Sequence, residues 1–201
     1  KYKNICELVT ANLEKYGIED RLLFSGPADY NNDPEVYESK YLSKIDYEKA
    51  TSSVYAFSNE STDEEMLKFA QEYSTVCDRY GISWGIAESG TSNFETAVSN
   101  SDSDTYERAL FMARFMINMI NGGCTNIKYF VFSDCYYDGN LNELGLFRFK
   151  HDNWKAKPVW YSWSLITRYT DFGSEIYPIA SSAEGVSAVA FKLPDGAWSY
   201  M

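Results

Sequence analysis

Histidine occurs once in this chain, at His151, and cysteine four times, at Cys6, Cys77, Cys124 and Cys135. No two cysteines form a C-x-x-C pair, and His151 is far from all four in sequence, so no zinc site is expected. Nor does any segment suggest another metal or a cofactor. No apolar run approaches the roughly 18 residues that a membrane span needs. There is no basic patch: 18 Lys and Arg stand against 29 Asp and Glu, and the net charge of −11 repels nucleic acid and anionic lipid. The chain opens with neither a signal peptide nor an initiator Met, which leaves room for a leader already removed. What is present is apolar and aromatic. Hydrophobic residues make up 45%, enough for one good core or part of a larger one. Aromatics make up 17%, and Tyr and Trp faces suit sugar rings or other flat ligands. Cys77 falls on an apolar helical stripe and reads as a core thiol. A disulfide between two of the other cysteines stays open, and cysteine usage does not fix the compartment.

Strands and helices alternate. Ile5, Leu8, Val9, Leu13 and Tyr16 recur at helical spacing, and Gly17 closes that helix. Arg21–Ser25 reads as a strand broken by Gly26-Pro27, and a polar loop rich in Tyr, Asn and Asp follows. Ser53–Phe57 is the next strand. "STDEE" (61–65) supplies a capping box for a helix that buries Met66, Ala70, Tyr73 and Cys77. Ser83–Ala87 is the third strand. Asp104-Thr105-Tyr106-Glu107 caps a helix with Tyr106, Ala109, Leu110, Ala113, Ile117 and Ile120 facing inward, ended by Gly122-Gly123. Ile127–Phe132 is the fourth strand. A loop then leads to Lys157-Pro158 and a last helix through Tyr169. Strand starts about 30 to 45 residues apart are the spacing of βα units, so the sheet is expected to be parallel. After Phe172 the pattern changes. Residues 185–201 alternate around a turn at Pro194-Asp195-Gly196 and read as a β-hairpin of another domain. A start within a helix and a stop within a hairpin suggest an excerpt from a longer protein.

The apolar run Trp84-Gly85-Ile86-Ala87 ends in Glu88. In parallel α/β folds, residues at the C-terminal strand ends face the ligand, so Glu88 has a catalytic address. A solvated or salt-bridged strand-end Glu is the competing reading. If Glu88 points inward, strict alternation puts Gly85 and Ala87 on the outer face, where small residues let a helix pack closely.

"WGIAESG" (84–90) resembles the seventh-strand motif of the clan A retaining glycoside hydrolases, in which a Glu ends the strand and is the nucleophile. The neighbours agree in order. "LLFSGPA" (22–28) resembles the fifth strand, "SVYAFSN" (53–59) the sixth and "IKYFVFSD" (127–134) the eighth. "GLFRFKHDNWKAKPVWYSW" (145–163) resembles the passage into the eighth helix, and "VSAVAFKLPDGAWSYM" (186–201) the start of the β-sandwich that often follows. The pattern departs from the clan where Phe132-Ser133-Asp134 replaces a Trp near the end of strand eight.

The resemblance implies an α/β fold: strands five to eight, the C-terminal half of a (β/α)8 TIM barrel, over residues 1–172, then the start of a β-sandwich over 173–201. It implies a retaining hydrolase of β-linked glycosides with Glu88 as nucleophile. Tyr55 or Asn59 would contact the nucleophile or the sugar. Asp134 would bind a sugar hydroxyl, and Tyr136 and Trp154 would form a sugar platform. No cofactor is implied. The acid/base Glu, which in the clan ends strand four, would lie before Lys1. Asn59-Glu60 copies the clan's Asn-Glu pair but precedes Glu88 by a single βα step, and Glu60 reads as an acidic helix start. Glu143 reads as a solvated loop residue. The expected partners are a carbohydrate substrate and either the missing N-terminal half-barrel or a second copy. An extracellular or cell-surface location, of the bacterial secreted type, is expected. Two rival readings stay open: a barrel that binds sugar without cleaving it, and a small open α/β domain of unrelated function.

Overall fold

The computed structural model describes residues 2–21, 24–29, 33–44, 50–55, 62–90, 104–137, 139–183 and 185–201. Four strands, β1 (Phe24–Asp29), β2 (Ala50–Tyr55), β3 (Trp84–Ser89) and β4 (Asn126–Tyr129), form one parallel sheet in the order β1-β2-β3-β4. Helices α1 (Tyr2–Glu14), α2 (Pro34–Lys40), α3 (Asp63–Asp78), α4 (Tyr106–Asn121) and α5 (Pro158–Arg168) precede, connect and follow them. When spatial order follows chain order, crossovers of one hand lay every helix on the same face of the sheet. The core obeys this. Tyr37 of α2, Met66 and Tyr73 of α3, Phe115 of α4 and Val159 of α5 join Trp84 and Ile86 of β3 in one buried cluster. Among the described residues, no helix is seen to pack on the other face.

Local chemistry accounts for the helix ends. The Thr62 Oγ1 accepts from the Glu65 backbone N–H, and the Glu65 carboxylate accepts from the Thr62 N–H, a reciprocal capping box. Those bonds hold the Glu65 pKa below its usual value. Thr105 caps α4 through the Arg108 N–H. Met66, Ala70, Tyr73 and Cys77 are fully buried, as the stripe requires. In α4, by contrast, Tyr106 and Leu110 are exposed, while Phe111, Met112, Phe115, Met116 and Met119 are buried. The helix is packed on two sides, so a single amphipathic stripe does not describe it.

Gly26-Pro27 does not break β1. The strand runs through it with one extra residue between Ser25 and Ala28 relative to β2. A proline without an N–H is tolerated at such a bulge. Three further elements lie where loops are expected: α2, whose N-terminus is capped by Asp33 with Pro34 at the first turn, and a hairpin of β5 (Cys135–Tyr137) with β6 (Asn140–Asn142). All four cysteines are free thiols. Burial raises the Cys124 pKa to about 12.

The chain closes with a three-stranded antiparallel sheet of β7 (Glu175–Ile179), β8 (Ala188–Lys192) and β9 (Trp198–Tyr200). The hairpin expected over 185–201 is β8-β9, and β7 adds a strand. Val189 and Phe191 of β8 pack on Ile117 and Ile120 of α4 in a second buried cluster. Polar bonds fix the contact: the Asn121 Nδ2 donates to the Ala188 carbonyl at 2.8 Å, and the Ser187 hydroxyl donates to Asp63 at 3.0 Å. The other carboxylate oxygen of Asp63 holds Arg114 of α4 at 2.7 Å. Among the described residues, no helix is long and apolar enough to cross a membrane.

Candidate active site at the C-terminal end of the sheet

Glu88 is exposed although β3 is an interior strand. Since helices cover one face of the sheet, an exposed side chain there must stand on the uncovered face. Strict alternation would not put it there. Trp84 and Ile86 point into the helix layer, and Glu88 has their parity. The register resolves this. Val54 pairs with Ile86 but Tyr55 with Glu88, and Ile127 pairs with Ile86 but Tyr129 with Ser89. β3 therefore carries one residue more than both neighbours just after Ile86. This β-bulge reverses the alternation and turns Glu88 to the open face. The expectation that Gly85 and Ala87 lie under a helix is corrected accordingly: Trp84 and Ile86 are the helix-facing residues.

Both glycines of the motif serve the approach of β4. A Cβ on Gly85 would meet the Asn126 carbonyl oxygen at 2.6 Å, and one on Gly90 would meet that of Phe130 at 2.7 Å. Between them, the Ser89 carbonyl accepts from the Phe130 N–H at 2.6 Å, and the Ser89 hydroxyl donates to the Lys128 carbonyl at 2.9 Å. The segment bearing Glu88 is thus clamped to β4. Gly90→Ala is expected to cost about 1–3 kcal/mol, the usual range for a forced backbone shift. Urea unfolding would check it, and an unchanged midpoint would remove the clamp. Ile127 and Tyr129 pack against the helix layer, so Lys128 between them shares the open face with Glu88, one strand away. Sequence reasoning did not single out Lys128; the alternation of β4 was the available signal.

Asp134 does not face a sugar. It is 2% exposed, and its Oδ1 accepts from the Lys157 Nζ at 2.6 Å and the Gly145 N–H at 2.8 Å. Lys157, 1% exposed, also donates to the Glu143 carbonyl at 2.6 Å. The expected hydroxyl-binding role is corrected: the carboxylate is consumed by a buried ion pair. That pair explains the passage beginning at Gly145. Gly145 lets the backbone come against Ser133 and Asp134, where a Cβ would have no room. Leu146 enters the core, Lys157 meets Asp134, and Pro158 starts α5. Near the pair, Tyr129 lies against Trp163, and burial raises the pKa of its hydroxyl. The Arg108 guanidinium lies 5.2 Å from the Phe111 ring centroid.

Tyr136 and Trp154 come together. Both rings lean on Phe149, at centroid distances of 5.2 and 6.0 Å, and both are at least half exposed. Trp154 and Asn153 adopt left-handed backbone conformations, with φ of 55° and 54°. For a tryptophan this is a costly geometry. Arg148 pairs with Asp104, tying the segment after β4 to the start of α4. Of Tyr55 only the backbone is described, opposite Glu88. Asn59 and Glu60 lie outside the described residues, as do 30–32, 56–61 and 91–103, which follow β1, β2 and β3. Among the described residues no group of His, Cys, Asp and Glu is arranged to hold a metal ion.

No family model matches the chain, and no curated protein matches it. Solved structures do. A monomeric β-xylosidase from Caulobacter crescentus CB15 superposes with a TM-score of 0.57 at 15% identity, covering 94% of this chain and 42% of that one. SrfJ from Salmonella typhimurium gives a TM-score of 0.66 at 15% identity, covering 93% and 41%. The GH51 arabinofuranosidase from Xanthomonas axonopodis pv. citri gives 0.56 at 14%, covering 97% and 47%. The chain spans about two fifths of the first of these structures. The neighbours are TIM-barrel glycoside hydrolases of clan A, and the chain is a mixed α/β structure similar in fold to the part of them it covers.

Proposed function

We propose that residues 1–172 are strands five to eight of a retaining glycoside hydrolase barrel, that 173–201 open a β-sandwich, and that Glu88 is the nucleophile. The observation that carries this is the bulge in β3, which turns a carboxylate to the open face at the C-terminal end of a parallel sheet. Clan A glycosidases do their chemistry at that end. Glu88 attacks the anomeric carbon of a β-linked sugar while a general acid protonates the departing oxygen. Water, deprotonated by the conjugate base, then releases the sugar with its configuration retained. The two carboxyl groups of such a pair stand roughly 5–5.5 Å apart. The acid/base belongs to a segment outside 1–201.

The open ends of the sheet support the same reading. Among the described strands, β1 and β4 each have one unpaired edge. Exposed apolar side chains lie on the first helix (Ile5, Leu8), on the last (Tyr161, Leu165) and at Tyr169 just after it. Those edges and faces suit further βα units, from the missing half-barrel or from a second copy. The Tyr136–Phe149–Trp154 cluster is the sugar platform, which accounts for Trp154 being held in a strained backbone. Tyr136→Ala or Trp154→Ala should raise KM more than it lowers kcat. Wild-type kinetics in both would make these rings mere packing around Phe149. The whole proposal is tested by hydrolysis of an aryl β-glycoside by the full-length protein, with NMR of the first-formed anomer. A retained product lost in Glu88→Gln is expected; an inverted product would overturn the reading.

A further inference from the structure

A β-bulge selects one register over another, and something must hold the selected one. β3 carries one residue more than its neighbours just after Ile86, so Ser89, not Glu88, stands opposite Tyr129 of β4. The regular alternative lacks the extra residue. There Glu88 would pair with Tyr129 and share the parity of Trp84 and Ile86, because a shift of one residue sends side chains to the other face. The direction of the carboxylate therefore depends on what fixes position 89 against β4. Gly85 and Gly90 permit the close approach of β4, where a Cβ would meet its carbonyl oxygens, but they have no side chain to bond it.

Ser89 does. It is 2% exposed, so its polar groups must find partners inside the protein. Its hydroxyl donates to the Lys128 carbonyl at 2.9 Å, and its carbonyl accepts from the Phe130 N–H at 2.6 Å. Those two groups flank Tyr129. On the other side of the bulge, the Thr125 hydroxyl donates to the Trp84 carbonyl at 3.0 Å. Two hydroxyl-to-carbonyl bonds thus bracket the extra residue. Glu88 could not take the place of Ser89. An ionised carboxylate has no proton to give the Lys128 carbonyl, and entering the helix layer would cost it its hydration. These bonds lie within the β3-β4 pair, so they stand whatever covers the open face. We infer that Ser89 is a positioning residue: its hydroxyl, bonded to the Lys128 carbonyl, fixes the register that holds Glu88 in place for attack. The inference rests on Glu88 being the nucleophile.

The test uses the full-length protein on an activated aryl β-glycoside, with kcat taken per folded molecule well below the unfolding midpoint. Ser89→Ala should lower kcat by about ten- to a hundredfold, the scale of a ~1 Å misplacement, and leave KM within about twofold. Ser89→Thr keeps the hydroxyl and should stay within about threefold of the parent. The decisive comparison removes the nucleophile. In Glu88→Ala, azide from solution attacks the anomeric carbon as the phenolate leaves. Adding Ser89→Ala to that variant should leave the azide-dependent rate within about twofold, because the hydroxyl has no carboxylate left to hold. Parental kcat in Ser89→Ala, with or without a lower midpoint, makes the hydroxyl merely structural and overturns the inference. So does an azide-dependent rate that falls as far as kcat does, since the hydroxyl would then act on the whole site. Parental turnover in Glu88→Ala is a different failure: it ends the nucleophile reading, and the inference with it.

Discussion

Under the proposed function, Glu88→Gln should lower kcat on an aryl β-glycoside by about a thousandfold or more and leave the unfolding midpoint where it was. The first half of this follows from double displacement. An amide oxygen does not form the glycosyl ester, so the covalent route closes, and loss of a nucleophile costs on the order of 10³-fold or beyond. The second half follows from exposure. The Glu88 side chain is exposed on the open face. Substitutions at such positions stay within about 0.5 kcal/mol. The split between rate and stability is what separates a nucleophile from a structural carboxylate. A variant that keeps most of its turnover would end the assignment, and one that unfolds early would make Glu88 part of the framework.

Lys157→Met destabilises the protein by about 3–5 kcal/mol, the usual result of leaving one charge of a buried pair alone. Total stabilities run to only about 5–15 kcal/mol, so this is among the largest single-site losses available here. The reason is the closure of the site. Asp134 would keep the Gly145 N–H but lose the ammonium that neutralises it in a nearly dry setting. Asp134→Asn combined with Lys157→Met should recover part of the loss, because the amide oxygen still accepts from Gly145 and no charge is stranded. Urea unfolding of the two single variants and the double variant gives the coupling directly. Additive losses would mean that the pair is worth no more than two independent side chains.

Much of this arrangement is legible in the sequence because it is local. The α3 face, the Thr62 and Thr105 caps, and the turns at Gly17 and Gly122-Gly123 depend on neighbours within about one helical turn. βα spacing carries the parallel sheet in the same way. What escapes depends on distant partners. The bulge that turns Glu88 is a mismatch in residue count against two other strands, so strict alternation back from an inward Glu88 gives Gly85 and Ala87 the wrong face. Asp134 and Lys157 meet across an intervening hairpin, and nothing local tells a buried pair from two solvated charges. The β5-β6 hairpin did leave a trace: Asp138-Gly139 is a strong two-residue turn signal. The Asp33-Pro34 start of α2 is another, hidden in a polar stretch that reads as loop. The wrong faces assigned to Tyr106 and Leu110 have a different cause. α4 serves two cores at once, and a single-stripe reading cannot distinguish them.

That double duty bears on how such chains change over evolutionary time. Ile117 and Ile120 belong to a helix of the parallel α/β unit by chain position but to the antiparallel sheet by contact, and Asp63 holds Arg114 with one oxygen and Ser187 with the other. A recombination event that replaced everything after Phe172 with an unrelated module would leave two isoleucines and a carboxylate without their counterparts. The appended sheet is therefore not a freely exchangeable cassette. Its lineage is bound to that of α4, and substitutions at Val189 or Phe191 should be answered on the helix rather than within the sheet.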